Sequence, residues 1–317
     1  QGPVVNPVAL LLGLLLTAPL YGTVAVLIRE VTRRTGRGWP TILLLAAAFG
    51  LVQAGLIDQT LFNHGAFHDG PYWQALSTRI PVADVDASQL LVFVGGHVIW
   101  SFSAPIAVVE ACVPRLADRP WLGRVGTAVI VLLYLAGAAF FLHELVVAPK
   151  FHAEPGHLVG TAVLAVALGV AAFAVPRRRH RAPRRRAPRP WLAGVVTLVL
   201  LGTDVMVNDT GGWLGVGAAA LALAACGLLL SRWSAGPGWD RRHVLVVAGA
   251  ALLLYAVLSY VVDPLDASYL TKYVSSSVVL ACVLALLAWA YHRVRRAGRE
   301  AGDEAGTVAG PGDEQTA

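Results

Sequence analysis

Charge is scarce in this sequence. Aspartate, glutamate, lysine and arginine make up 14% of its 317 residues, whereas soluble domains carry about 25%. Hydrophobic residues reach 56% and the mean hydropathy is +0.64, so a soluble globular enzyme is excluded. The same balance excludes disorder over most of the chain, because disordered segments are poor in apolar residues and rich in charge.

Lysine and cysteine are also rare. Only Lys150 and Lys272 are lysines, so arginine supplies nearly all the positive charge of a chain with a net charge of +6. The arginines lie in short runs between apolar segments, which argues against a nucleic-acid partner, since such a partner requires a basic face on a folded domain. Cys112, Cys226 and Cys282 lie apart within apolar segments, where free thiols pack as small hydrophobic side chains. We expect no cofactor.

Long apolar runs dominate the rest of the sequence. A helix needs about 20 apolar residues to cross roughly 30 Å of hydrocarbon. Nine segments approach that length, namely residues 7–28, 41–62, 89–113, 125–147, 157–175, 191–207, 213–230, 243–262 and 274–292. They are longer than ordinary strands and show no period of two. The pattern therefore predicts an all-α polytopic membrane bundle of about nine helices rather than a membrane barrel.

The basic residues predict the orientation of this bundle. With the N-terminus outside, 22 of the 25 lysines and arginines fall on the inner side, and only Arg79, Lys150 and Lys272 fall outside. Cytoplasmic loops are enriched in lysine and arginine. We therefore expect a multi-pass protein of the plasma membrane with an outer N-terminus and a cytoplasmic C-terminus. The first apolar stretch has its arginines after it and none before it, unlike a secretory signal, so it is expected to be retained.

An arginine- and proline-rich cytoplasmic linker, residues 176–190, divides the predicted bundle. It would connect a five-helix half, residues 1–175 with an outer loop over 63–88, to a four-helix half, residues 191–296. Its eight arginines would either form a solvated orienting loop or contact anionic lipid headgroups. Residues 297–317 are rich in Gly, Ala, Asp and Glu, and this composition predicts a disordered cytoplasmic tail.

Polar residues in the outer halves of the spans are the first candidates for function, because polar groups inside a bilayer are costly. Helix rise places Gln53 roughly 14 Å and His97 roughly 12 Å below the outer surface. These two side chains can therefore meet at one level, with Asp58 just above Gln53. They would either hydrogen-bond as interhelical contacts or line an outward-facing pocket for a small ligand or a protein partner. His143 and Glu144 are the second choices.

His64 and His68 are the candidates for a metal site. Their i, i+4 spacing would place both imidazoles on one face of a helix. The segment around them contains glycines and prolines and need not be helical, and the sequence has no Cys-x-x-Cys or His-Glu-x-x-His. We therefore expect no bound metal and interpret both residues as solvated loop histidines.

Residues 50–63, with the sequence GLVQAGLIDQTLFN, resemble a group of uncharacterised multi-pass membrane proteins from actinobacteria. RGWPT at residues 37–41 and WLGRVG at residues 121–126 carry the same resemblance, which covers mainly residues 20–130. It implies a membrane location and no known activity.

Phe93 and His97 resemble the Phe-x-x-x-His motif of the CPBP (CAAX-type) intramembrane proteases. The Glu-Glu-x-x-x-Arg motif of that family is absent, since its positions hold Gln53, Ala54 and Asp58. The family's glutamate activates a water, and a neutral glutamine cannot accept that proton. This resemblance therefore implies at most a degenerate relative without catalytic residues.

The leading hypothesis is a non-enzymatic membrane protein with an outward-facing polar pocket. A secondary transporter is the first alternative, and a degenerate CPBP-like protein is the second.

Overall fold

The computed structural model describes residues 13, 15–63, 78–176, 186–208, 211–264 and 268–308. Within these ranges, nine helices are long and apolar enough to cross a membrane. They are α1 (Leu15–Arg34), α2 (Trp39–Ile57), α3 (Ala87–Cys112), α4 (Arg124–Val147), α5 (Pro155–Ala174), α6 (Pro190–Val207), α7 (Gly212–Ser234), α8 (Arg241–Leu258) and α9 (Tyr269–Val308). The predicted all-α membrane bundle is confirmed.

Local sequence signals determine several helix starts. Pro155 and Pro190 are the first residues of α5 and α6, where the missing amide hydrogen removes no helical hydrogen bond. At the start of α8, the Asp240 carboxylate accepts hydrogen bonds from the backbone amides of Arg242 and His243. Such a cap satisfies amide groups that have no partner within the helix.

Arginine-bearing segments meet at one end of the bundle, which we call the basic face. The contacts there are those of Arg34 with the Leu122 carbonyl, Arg37 with the Val175 carbonyl, Arg241 with the Pro114 carbonyl, and His243 with the Pro188 carbonyl. Residues 177–185 of the predicted linker lie outside the described residues. Lipid contact by this segment therefore stays a prediction.

The other end, which we call the acidic face, carries Asp58, Asp86, Glu154 and other acidic residues. A short antiparallel hairpin lies there, with β1 (Arg79–Ile80) pairing with β2 (Val85–Asp86). At the same end, the Gln59 side chain accepts a hydrogen bond from the Ala153 amide at 2.9 Å. The helices therefore alternate between the two faces.

Helix α3 lies at the centre of the molecule. Ala104 and Val108 of α3 pack with residues of α6, α8 and α9 in one hydrophobic cluster, while Phe102 and Ile106 pack with α1, α2 and α5 in a second. Trp100 joins α3 to α8 as well, because its Nε1 donates to the Ala251 carbonyl at 2.9 Å. Helix α3, which belongs to the predicted five-helix half, thus packs against helices of both halves.

Two predicted boundaries differ from the structure. The hydropathy extends the second span to residue 62, but α2 ends at Ile57 and Gln59 has a positive φ of 52°, so Asp58 follows the helix. The tail predicted to be disordered from residue 297 is helical as far as Val308. Glu300 pairs with Arg115 of a distant segment and with Arg296 one turn earlier in the same helix, and the i, i+4 pair with Arg296 supports helix formation.

Candidate functional site

Four of the candidate residues from the sequence lie on unusually wide helical turns. Five stretches of α1–α4 are π-helical: Ala18–Gly22, Val52–Ile57, Leu91–Gly95, His97–Ser103 and His143–Val147. The His143 carbonyl, for example, accepts a hydrogen bond from the Ala148 amide at 2.8 Å, five residues on. Gln53, His97, His143 and Glu144 all fall in these stretches. Turns of this kind are rare and occur frequently at functional sites.

Gln53 and Asp58 form a buried pair at the acidic-face end of α2. Gln53 Nε2 donates to Asp58 Oδ2 at 3.2 Å, and Asp58 Oδ1 accepts from the amide and the hydroxyl of Thr60 at 3.2 and 2.9 Å. Gln53 is 3% exposed and Asp58 is 8% exposed. Burial raises the pKa of the Asp58 carboxyl above its ordinary value, although these hydrogen bonds oppose the rise.

His97 lies beside this pair but is bonded elsewhere. Its Nδ1 is 3.0 Å from Ser101 Oγ, one turn further along α3. Its ring stacks on Tyr21 of α1, with the ring centres 5.3 Å apart. A Cβ atom added at Gly50, one turn from Gln53, would lie 3.3 Å from His97 Cβ. His97 therefore contacts Tyr21 of α1 and lies where α2 and α3 approach closely at Gly50.

The other predicted residues stand apart from this buried group. His143 Nδ1 lies 3.1 Å from Glu144 Oε1, and both side chains are more than half exposed. His64 and His68 lie outside the described residues. Among the residues that the structure does describe, no three His, Cys, Asp or Glu side chains are grouped as metal ligands would be.

A second polar cluster, which the sequence analysis missed, lies buried at the basic face. Glu110 of α3 accepts hydrogen bonds from Arg29 at 3.1 Å and from Arg33 at 2.8 and 2.6 Å. Arg29 also donates to two backbone carbonyls and lies 3.5 Å from the centre of the Trp121 ring. Arg29 is 1% exposed, so this charge is enclosed by protein and compensated there.

Glu30 fixes the connection between α3 and α4 to the same cluster. Its carboxylate accepts hydrogen bonds from the amides of Trp121 and Leu122 at 2.8 and 3.1 Å, and from Arg34 Nε at 2.9 Å. The sequence does contain a signal for this cluster. Arg29 and Arg33 share a helix face by their i, i+4 spacing, and acidic residues are few on the side where the arginines concentrate.

A cavity of about 180 Å³ opens beside this cluster. It is lined by Arg33 and Glu110, by the two indole rings of Trp39 and Trp239, and by Arg241 among other residues. It therefore lies at the opposite end of the bundle from the Gln53–Asp58 pair.

A comparison with protein families identifies the family of this chain. A model described as an uncharacterized membrane protein family matches residues 1–297. The chain belongs to this family. No curated protein and no solved structure matches it. Family membership supports the membrane location and assigns no activity, and the resemblance to CPBP proteases stays a prediction.

In this family member, α1, α2 and α3 thus carry two different polar clusters. At the basic face, the buried carboxylates of Glu30 and Glu110 bind arginines and hold the helices together. At the acidic face, an amide and two aromatic rings lie on π-helical turns, and the buried carboxyl of Asp58 directly follows one of them. The second arrangement is the better candidate for ligand binding, because π-helical turns occur frequently at functional sites.

Proposed function

We propose that the protein is a multi-pass plasma-membrane protein that binds a small polar ligand at the acidic face, among the π-helical turns of α1, α2 and α3. The basic face would lie in the cytoplasm, as the concentration of arginine suggests, so the ligand would enter from outside the cell. The observation that carries the proposal is that Tyr21, Gln53 and His97 lie on such turns of three packed helices, with Gln53 bonded to the buried carboxyl of Asp58 and Tyr21 stacked on His97.

The chemistry of Asp58 indicates the kind of ligand. The one hydrogen bond shown to its Oδ2 comes from the uncharged amide of Gln53, whose Nε2 lies 3.2 Å away. This bond is long and therefore weak. A ligand with an N–H donor, such as a primary amine, would form a charge-assisted hydrogen bond there, and such bonds are shorter and stronger. Gln53 would then be released to bond the ligand through its own amide group.

The π-helical turns supply a way to open the site. A π-helical turn holds one residue more than an α-helical turn, so conversion to α-helix rotates every following side chain relative to the preceding ones. In α2, conversion of Val52–Ile57 would move Gln53 relative to Asp58. Binding that favours one of the two arrangements would shift their populations.

Thermal unfolding of the purified protein in detergent tests this proposal. A panel of primary amines, amino acids and sugars serves as the set of probes. We expect at least one amine to raise the unfolding midpoint in a saturable manner, and Asp58→Asn to abolish that rise. His97→Ala should weaken it.

The matched control is Glu154→Gln, which changes an acidic residue of the same face whose side chain is 75% exposed. This variant should respond as the unmodified protein does. The proposal fails if no member of the panel raises the midpoint, or if the response survives in Asp58→Asn.

Transport is the second candidate function, and the cavity at the basic face favours it. With polar groups at the acidic face and a cavity beside Glu110 at the basic face, α2 and α3 reach a candidate site at each end of the bundle. Uptake of the stabilising amine into proteoliposomes would establish this alternative, provided that Asp58→Asn abolishes uptake and remains folded. Binding without uptake would exclude it.

A further inference from the structure

A third polar cluster lies between α3 and α6 at the acidic face. Asp204 is in the last turn of α6, Asn208 directly follows that helix, and Ser88 is in the first turn of α3. All three are more than nine-tenths buried, with exposed fractions of 8%, 5% and 7%. Asn208 Nδ2 donates to the Ser88 carbonyl at 3.1 Å. This bond holds the end of α6 against the beginning of α3.

Three oxygen atoms of this cluster have no hydrogen-bond partner: Ser88 Oγ, Asp204 Oδ1 and Asn208 Oδ1. They are half of the six buried side-chain atoms in that condition among the described residues. The orientation of the Asn208 amide follows from its contact, since a carbonyl only accepts and must face the nitrogen. Buried polar atoms are normally paired. Asp204 and Asn208 are one helical turn apart and Asn208 contacts Ser88, so the three unpaired oxygen atoms argue for a partner that they share.

The nature of these atoms indicates that the partner is a cation. Carboxylate, amide and hydroxyl oxygens are the ligands of hard metal cations. The carboxyl-terminal end of a helix also carries the negative end of its dipole and free carbonyl groups, and Asp204 and Asn208 lie at such an end. In membrane transporters, helix ends of this kind coordinate sodium ions.

The charge of the cluster limits the choice of cation. Asp204 is the one carboxylate among the three residues, so a monovalent cation would be neutralised, whereas a divalent cation would leave an uncompensated charge in a buried site. We propose that Ser88, Asp204 and Asn208 bind a monovalent alkali cation that joins α3 to α6. This inference is independent of the ligand proposed at Asp58.

The test compares unfolding midpoints of the purified protein in sodium, potassium and choline chloride at equal ionic strength, with calcium chloride as a further arm. We expect sodium or potassium to raise the midpoint saturably, by at least about 2 °C above choline. The inference is overturned if the three monovalent salts give equal midpoints, or if calcium stabilises the protein more than either alkali cation.

Variants assign the response to this cluster. Asp204→Asn should remove the alkali response and raise the midpoint in choline, because it deletes an unpaired buried charge. Ser88→Ala removes one ligand without changing the charge, so it should raise the alkali-cation concentration at half-saturation several-fold. This variant tests the site even if Asp204→Asn does not fold. Asp263→Asn, at an exposed acidic residue of the same face, should respond normally. An unchanged response in both Asp204→Asn and Ser88→Ala would refute the assignment.

Discussion

Arg29 of α1 and Glu110 of α3 form a buried ion pair across 81 positions of the chain, with Nε 3.1 Å from Oε1. The same two helices are joined nearer the acidic face by Tyr21 and His97, whose rings stack at 5.3 Å. The ion pair is the stronger of the two contacts and joins α-helical turns, whereas the stacked rings join π-helical turns. We therefore expect α1 and α3 to be fixed relative to one another at the basic face and adjustable at the other.

Replacing Glu110 tests the role of the buried ion pair. In Glu110→Gln, Arg29 and Arg33 lose their shared carboxylate and stay buried. Breaking a buried pair in this way costs about 3–5 kcal/mol, so the unfolding midpoint in detergent should fall by many degrees. Glu300→Gln, which alters an exposed pair with Arg115, should leave the midpoint unchanged. Equal midpoints for the two variants would show that the buried pair contributes little.

The membrane bundle could be predicted from the sequence because its signal is local. Each apolar run of about 20 residues specifies a spanning helix by itself, and the runs around Leu45 and Val278 need no knowledge of their neighbours. The ion pair of Arg29 with Glu110 could not be derived in this way, since neither residue indicates which distant helix packs against it. The helical part of the tail also depends on a distant contact, that of Glu300 with Arg115.

The pH dependence of stability should reveal the buried carboxyl of Asp58. Its pKa is raised by burial in the folded protein, while in the unfolded chain it is about 4. The carboxyl therefore destabilises the folded state as it ionises, and its contribution falls as pH rises from the unfolded pKa through the folded one. The stability of the unmodified protein minus that of Asp58→Asn should decrease over this range. Urea unfolding in detergent at a series of pH values measures the difference.

Taking that difference removes the contributions of other carboxylates, which follow the usual opposite trend. The amide introduced by Asp58→Asn retains an oxygen that can accept from Thr60, so the variant is expected to fold. A difference that is constant with pH, or that increases with pH, would contradict the burial of an uncompensated carboxyl at this position.

The candidate site around Asp58 was predicted only in part, because its contacts between helices also depend on residues distant in the sequence. The cost of polar groups in a membrane identifies Gln53, Asp58 and His97 as residues worth examining, and the structure places the first two in direct contact. Helix geometry alone did not predict that His97 would bond to Ser101 instead. The π-helical turns set the directions in which Gln53 and His97 point. These turns depend on packing between helices, and no residue pattern in the sequence predicts them.

The close approach of α2 and α5 at Gly55 provides a structural test near the site. A Cβ atom at this position would lie 2.6 Å from Thr161 Cγ2, whereas one at Gly160 would meet nothing within 4 Å. Gly55→Ala should therefore destabilise the protein by about 1–3 kcal/mol through overpacking. Gly160→Ala should be neutral or slightly stabilising, because alanine has the higher helix propensity. Unfolding midpoints of the two variants provide the comparison, and equal values would contradict the packing described for Gly55.

Cysteine labelling of intact cells tests the orientation on which an outward-facing ligand site depends. Val82 in the hairpin of the acidic face is 93% exposed, and Arg119 at the basic face is exposed as well. In a Cys282→Ala background, which leaves only the buried Cys112 and Cys226, a membrane-impermeant maleimide should label Val82→Cys from outside. It should label Arg119→Cys only after the membrane is permeabilised, because arginine-rich loops are retained in the cytoplasm. The reverse pattern would place Asp58 and His97 toward the cytosol, and the proposed ligand would then have to be an intracellular one.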